Sequence, residues 1–304
     1  MDTNVYKPKV TVVGSVNMDL VVEATRFPIK GETILGKSFK QFPGGKGANQ
    51  AVAAARLGAD VSFIGCIGND AFGSGLKSQL VKENIHVNGL FTTPEEPTGI
   101  AQITISEEDN TIIVISGANY QLTKEWVEKN RSLITEADVV LTQLEIPVEI
   151  VEQVVGIAYE NNVPVILNPA PAQILSTNLL NKITYLTPNE SELSLLTMMS
   201  GEDIPEKIEV LQRKGVKNVV VTRGAKGVAF KRMNDNQVTY KESRKVDVVD
   251  STGAGDTFNG ALAVGIGLGK PLKDAIEFSI KVAALSVTKL GAQSGLPYLH
   301  ELYE

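Results

Sequence analysis

The chain has 304 residues, 43% of them hydrophobic and 21% charged, with a formal net charge of −6. That composition is globular rather than disordered, and the acidic balance argues against nucleic acid as the main partner, because a polyanion is bound through a basic surface. A single cysteine, Cys66, excludes an internal disulfide. With only two histidines, His86 and His300, Ser-His-Asp and multi-histidine zinc chemistry are poorly supported, so an enzymatic base here is expected to be a carboxylate or a lysine. The N-terminus lacks an apolar run behind a basic start, and the apolar stretch 260–269 is too short and too glycine-rich to span a bilayer. A cytoplasmic protein without membrane attachment is therefore expected.

In chain order, residues 9–14 are a β-branched run closed by glycine, a buried first strand. Residues 20–42 hold short strand-like pieces. Residues 47–57 are alanine-rich and stop at Gly58, a helix with a glycine terminus. An apolar strand at 61–67 and a helix at 72–83 follow. Residues 99–116 hold two β-rich runs around the turn-like 107–110, a hairpin. Buried strands then recur at 138–144, 163–168, 183–187 and 216–222, separated by amphipathic segments at 148–159, 190–198 and 205–214. Strand and helix alternate, which predicts an α/β fold: a mostly parallel central sheet with helices on both faces. The antiparallel pieces, about 20–43 and 97–116, are expected to form a small β lid on one domain spanning 1–304. No repeat, low-complexity tract or long linker divides the chain.

Ligands of open α/β sheets collect at the carboxyl ends of the strands. Asn17, Asp19, Glu145, Asn168, Asn189 and the turn 223–227 all fall at such ends. The strongest motif is Asp250-Ser-Thr-Gly-Ala-Gly-Asp256-Thr-Phe258, ahead of a small, apolar helix at 254–268. Gly253 and Gly255 allow a tight turn that leaves N–H groups unpaired at the helix start, an anion site, with Asp256 at its edge. An N-cap aspartate would be the bland alternative. Two glycines and a second acid, Asp250, exceed what a cap requires. A carboxylate beside an N–H cradle suits a general base acting on a hydroxyl while the cradle holds a transferring anion.

Three further motifs are weaker alone. Gly44-Gly45-Lys46-Gly47-Ala48-Asn49-Gln50 sets a lysine and an asparagine among glycines before a helix, but lacks the spacing of a Walker A loop. Thr222-Arg223-Gly224-Ala225-Lys226-Gly227 is a glycine-rich turn with two cations, suited to a nucleotide and also to a plain hairpin. Asn189-Glu190-Ser191-Glu192 reads as an acidic helix start, and in a phosphoryl-transfer site Glu192 could hold the water shell of Mg²⁺. Cys66 and Trp126 read as packing residues, His86 and His300 as surface or structural.

Together and in this order, these motifs resemble the ribokinase-like (PfkB) carbohydrate kinases over essentially the whole chain. Gly14-Ser15-Val16-Asn17-Met18-Asp19, Asn168-Pro-Ala-Pro171 and Gly291-Ala-Gln293 add to the likeness. The resemblance implies ATP-dependent phosphorylation of D-ribose at its 5-hydroxyl, with deoxyribose kinase or another sugar or nucleoside kinase, and a non-catalytic sugar sensor, as alternatives. It implies Asp256 as base and an anion hole at Gly253, Ala254 and Gly255. Ser15, Val16, Asn17, Asp19, Gly45, Lys46, Gly47, Ala48, Asn49 and Glu145 would line the sugar site. Asn189, Thr222, Arg223, Gly224, Ala225, Lys226, Gly227 and Gly255 would line the ATP site. Asp250, Thr252, Ser286, Lys289, Gly291 and Gly295 would hold K⁺, and Glu192 would reach Mg²⁺ through water. The β lid would serve as a homodimer interface. Two departures stand out: Ile280-Lys281 replaces the Asn or His that relatives often place near adenine, and Gly295 replaces a serine that some relatives contribute to the potassium site. A nicotinamide oxidoreductase is disfavoured, since no G-x-G-x-x-G follows the first strand.

Overall fold

Strand β1 (Lys9–Val13) is buried on both faces and sits in the middle of the main sheet. In the computed structural model, which describes residues 6–106 and 109–303, the chain leaves β1 into a second sheet through β2 (Asn17–Glu23) and β3 (Ser38–Gly44). Helix α1 (Lys46–Arg56), β4 (Asp60–Gly68), α2 (Ala71–Lys82) and β5 (His86–Thr93) return it to the main sheet. Strands β6 (Gly99–Ile105) and β7 (Asn110–Ile115) complete the second sheet. Short helices α3 (Lys124–Lys129) and α4 (Arg131–Thr135) then lead to β8 (Val139–Thr142), α5 (Val148–Glu160), β9 (Val165–Leu167), α6 (Thr177–Leu180) and β10 (Tyr185–Leu186). Next come α7 (Glu190–Thr197), α8 (Ile204–Arg213), β11 (Asn218–Thr222), β12 (Val228–Arg232) and β13 (Thr239–Lys241). Helices α9 (Ala254–Gly267), α10 (Leu272–Ser286) and α11 (Ala292–Gly295) end the fold.

The main sheet runs β13-β12-β11-β10-β9-β8-β1-β4-β5, parallel from β11 to β5 and antiparallel at β12 and β13. Strand alternation divides its side chains between two cores. Val10, Val12, Leu141 and Val220 pack with α1, α2, α9 and α10, whereas Val13, Val140, Val219 and Val221 pack with α5, α7 and α8. Burying each such side chain contributes about 1.5–3 kcal/mol. A one-residue slip would exchange the two sets, so the register is strongly specified. The expected parallel sheet covered on both faces is thus what forms.

The second sheet, β3-β2-β6-β7, pairs Asn17 with Gly44 on one side and Gly99 on the other. Its first strand begins at Asn17 rather than near residue 20, so Asn17 and Asp19 are strand residues on one face, not loop residues after β1. Residues 107 and 108 of the anticipated hairpin turn lie outside the described residues. The strand expected over 183–187 shrinks to Tyr185–Leu186 before Pro188, which has no N–H to extend it. Edge strand β5 was not evident in the pattern, because His86, Asn88 and Gly89 interrupt its alternation. Cys66 is buried, Trp126 packs on Phe91, and the His86 ring is exposed beside Asp60. Among the described residues no helix is long and apolar enough to cross a membrane.

Candidate active site

Gly253 adopts φ +76, a left-handed conformation natural to glycine, and starts α9 directly beneath the loop 291–295. Asp256 is the third residue of the helix, not its cap, and is buried. Its Oδ2 accepts from Asn49 Nδ2 at 3.0 Å and its Oδ1 from Gln50 Nε2 at 2.9 Å. Burial pushes its pKa up, Lys46 and the two amides pull it down, Glu145 adds to the rise, and the net direction is upward. That is the direction a proton acceptor needs if it is to act near neutral pH. The N–H groups of Gly253 and Gly255 have no acceptor among the described residues, while Ala254 N–H turns back to Ser251 O at 3.2 Å.

On the α1 side, Gly45 turns the chain at φ +88 so that α1 begins under β2. Ser15 Oγ donates to Glu145 Oε2 at 2.5 Å, and Lys46 N–H reaches the same oxygen at 3.1 Å. Gly47 N–H donates to Ser15 Oγ, and Ala48 N–H to Ser15 O. Val16 N–H donates to Asn119 Oδ1 at 2.8 Å, and Asn119 Nδ2 holds Asn17 Oδ1 at 2.7 Å. The Asp19 carboxylate lies so close to Gly44 that a Cβ there would come within 2.2 Å of it. Burial, then Glu145 and Asp256, push Asp19 up to about 7 against the pull of Lys46. Burial works against the Lys46 charge, but Asp256, Glu145, Glu192 and Asp19 more than offset it and leave its pKa above the usual lysine value. One ammonium therefore serves several carboxylates in a pocket of polar groups.

A cleft of about 1070 Å³ opens on the other side of the α9 start. Thr222, Arg223, Gly224, Ala225, Lys226, Gly227 and Gly255 all line it. Asn189 is joined to Thr222 by a parallel bridge but spends its Oδ1 capping α7, so it borders the cleft rather than lining it. The Arg223 guanidinium is held by Glu190 at 3.2 Å and sits over the Tyr240 ring. Ile280, Ala283, Ala284 and Val287 give the cleft an apolar wall, and Lys281 turns away to Leu302 O and the Tyr303 ring. The departure at 280–281 thus supplies packing where a polar base contact would be.

Asp250 bridges two backbone segments, accepting from Thr252 N–H at 2.9 Å and Gly291 N–H at 2.8 Å. Burial raises its pKa, but these contacts and the Thr252 hydroxyl win and hold it below the usual range. Ser286 O and Lys289 O converge on Gly295, where a Cβ would lie 3.1 and 3.5 Å from them. Glu192 closes the capping box of α7 through Asn189 N–H at 2.8 Å. Burial raises its pKa against the pull of that N–H and Lys46, and Asp256 adds to the rise.

Sequence reading missed Asn119, Gln143 and Asn259 and assigned no role to Gln50 or Gln293. Gln50 also donates to Asn168 Oδ1, Asn168 holds Thr187 O, and Thr187 Oγ1 reaches Asn259, which donates to Gly255 O at 2.8 Å. A usable signal existed: polar residues inside runs otherwise apolar enough to be core.

Known proteins share this sequence pattern and this fold. The pattern of the pfkB family of carbohydrate kinases matches residues 7–299. The chain is 42% identical to the ribokinase of Haemophilus influenzae over 298 residues, covering 97% of each. It is 40% identical to the ribokinase of Bacillus subtilis, covering 97% of this chain and 98% of that one. A ribokinase from Arabidopsis thaliana complexed with ribose and ATP superposes with a TM-score of 0.90 at 34% identity, covering 98% of both chains. With a full-length pattern match, full-length relatives and a common fold, the chain belongs to the pfkB family of carbohydrate kinases.

Proposed function

We propose that this protein transfers the γ-phosphoryl group of ATP to the 5-hydroxyl of D-ribose, giving ribose 5-phosphate and ADP. The observation that carries the reading is Asp256, a buried carboxylate on the first turn of α9, between a polar pocket and a nucleotide-sized cleft that ends at Gly255. The relatives named ribokinase, and the relative bound to ribose and ATP, favour ribose as acceptor.

In this mechanism Asp256 takes the hydroxyl proton as the sugar oxygen bonds to the γ-phosphorus and the bond to the β,γ-bridging oxygen breaks. The N–H groups of Gly253 and Gly255 meet the charge on the transferring group, and Ala254 joins them when it releases Ser251 O. Asn17, Asp19, Asn49 and Glu145, with Gly45 and Lys46, hold the sugar hydroxyls. Glu192, a partly buried carboxylate with one oxygen not engaged by the cap, fits water-mediated Mg²⁺, which when bound neutralises phosphate charge. The carbonyls converging on Gly295, with Asp250 bridging Thr252 and Gly291, fit a monovalent K⁺ that steadies the loop over Gly253. The acceptor site is closed by β2, β3, β6 and β7 acting as a lid on a single domain, which excludes water that would compete for ATP.

ADP release with Mg-ATP, measured on ribose, deoxyribose, fructose and adenosine in K⁺ and in Na⁺, tests the whole reading. Ribose-dependent turnover that rises in K⁺ is expected. Preference for another acceptor would move the specificity, and ribose binding without turnover would make the protein a sensor.

The same lid is proposed as a homodimer contact. All six residues of edge strand β7 are exposed, Ile112 to Ile115 among them, and Phe39 and Leu35 add apolar surface near the opposite edge. Such an edge invites pairing. Light scattering should give the mass of two chains, and Ile113→Lys should give that of one. A wild-type monomer would refute the contact.

A further inference from the structure

An ionised carboxylate only accepts hydrogen bonds. Both oxygens of Asp256 are taken by amide N–H groups, so Asn49 and Gln50 must turn their amide oxygens away from it. Those oxygens do not face water. Asn49 Oδ1 accepts from Gln293 Nε2 at 3.1 Å, and Gln50 Oε1 accepts from Gln143 Nε2 at 2.6 Å. Asn49, Gln50, Gln143 and Gln293 are 6%, 0%, 0% and 5% exposed. The two outer glutamines leave their own Oε1 atoms buried with no partner among the described residues. Leaving a buried acceptor without a donor is costly. A methionine of the same volume would remove that orphan but leave Asn49 Oδ1 or Gln50 Oε1 without its donor, so what each outer glutamine supplies is the direction of an amide, not volume.

We propose that Gln143 and Gln293 are positioning residues for phosphoryl transfer, fixing the Gln50 and Asn49 amides so that both present N–H to Asp256. The proposal rests on reading Asp256 as the general base. Neither glutamine touches the base itself. Gln143 follows β8, and Gln293 belongs to α11, which is tied to α1 through Arg56, whose Nη1 donates to Gln293 O at 2.8 Å and Leu296 O at 2.7 Å. Asp256 is therefore set from the middle of the sheet and from the C-terminal segment at once. With Gln293 gone, the Asn49 amide is free to turn its oxygen toward Asp256; Gln50 keeps a second anchor at Asn168 Oδ1, so the Gln143 arm is the weaker of the two.

The charged groups facing Asp256 are Lys46 on α1, Glu145 after β8, Asp19 on β2 and Glu192 on α7. None of them is altered by substitution at 143 or 293. Losing a donor to the carboxylate form raises the pKa of that carboxylate. The acidic limb of kcat/KM for ribose should then move to higher pH by about half a unit or more in Gln293→Met, and by less in Gln143→Met, where Asn168 still holds Gln50. Gln293→Glu accepts only, draws Asn49 Nδ2 away from Asp256, and should lower kcat by about tenfold or more.

The experiment is the pH profile of kcat and kcat/KM for these variants beside wild type and Asp256→Asn, with thermal melts as the folding control. If one methionine variant does not fold, the other must still show an upward shift through its own arm, the larger one being that of Gln293→Met. Folded variants that lose rate equally at every pH, or not at all, overturn the proposal, as does loss of folding in both. Near-normal turnover in Asp256→Asn instead removes the base reading beneath it. Loss of turnover in Asp256→Asn with an unmoved limb in the glutamine variants removes the positioning role alone.

Discussion

Asp256→Asn should fold, bind ribose and ATP, and lose about 10³-fold in kcat, roughly 4 kcal/mol of transition-state stabilisation. The expected loss is large because the groups bonded to Asp256 are the neutral amides of Asn49 and Gln50, which take no proton, and in the proposed mechanism the neighbouring Asp19, Glu145 and Glu192 are engaged with the sugar and with Mg²⁺. Folding should survive for a specific reason. An amide at 256 must donate to one of its neighbours, so one inner amide must reverse. Asn49 is the one to reverse, since Gln50 is also held by Asn168 Oδ1, and its N–H then turns toward Gln293. Gln293 carries a buried, unpartnered Oε1 to receive it. Isothermal titration of both ligands, together with steady-state rates, checks the prediction. Near-normal turnover would mean that Asp256 is not the base.

Lys46→Met should be the second most damaging change, lowering kcat by about 10²-fold, because the ammonium that helps hold the sugar hydroxyls also offsets the charge of Asp256 and its neighbouring carboxylates. Its effect on stability has a defined sign. Asp19, Glu192 and Asp256 already have raised pKa values, and Lys46 opposes the rise at each of them. A carboxylate whose folded pKa exceeds its unfolded value stabilises the fold at low pH, and that contribution is lost as pH climbs through the folded value. For Asp19 the window runs from its ordinary value of 3.8 to about 7. Removing Lys46 raises these values further, so the melting temperature of the variant should fall more steeply than wild type between pH 5 and pH 8. A parallel displacement of the two curves would show that Lys46 does not govern these carboxylates. Lys46→Arg keeps the charge and should restore the pH dependence more than the rate, because a planar guanidinium does not fit a site shaped for a compact ammonium.

The readability of the chain differed by type of feature. β1, α1, α5, α8 and β11 were legible because each is a run whose apolar period matches its final geometry, 2 for strands and 3.6 for helices. The glycine-rich segments at 44–47, 223–227 and 253–255 were legible because few other reasons concentrate glycines and charged residues after strands or before helices. Strand β2 was placed three residues late because Asn17 and Asp19 are polar. Their polarity suits a ligand-facing strand surface that no local pattern distinguishes from a loop. Lys281 and Ile280 are neighbours in sequence, yet one turns to the C-terminal segment and the other into the cleft, a division made by the packing of α10.

Local periodicity was enough to determine the α/β class, and residue chemistry was enough to single out Asp256 as the acid on which the proposed function rests. What only the tertiary structure decided is how that acid is held. Asn49 lies 207 residues from Asp256 and Gln293 lies 244 residues from Asn49, separations across which no sequence period operates. Their meeting depends on α1 and α9 packing on one face of the sheet and on α11 folding back over α1. Hydrogen bonds between buried amides follow from that packing, and their direction follows from the one group in the network that cannot donate.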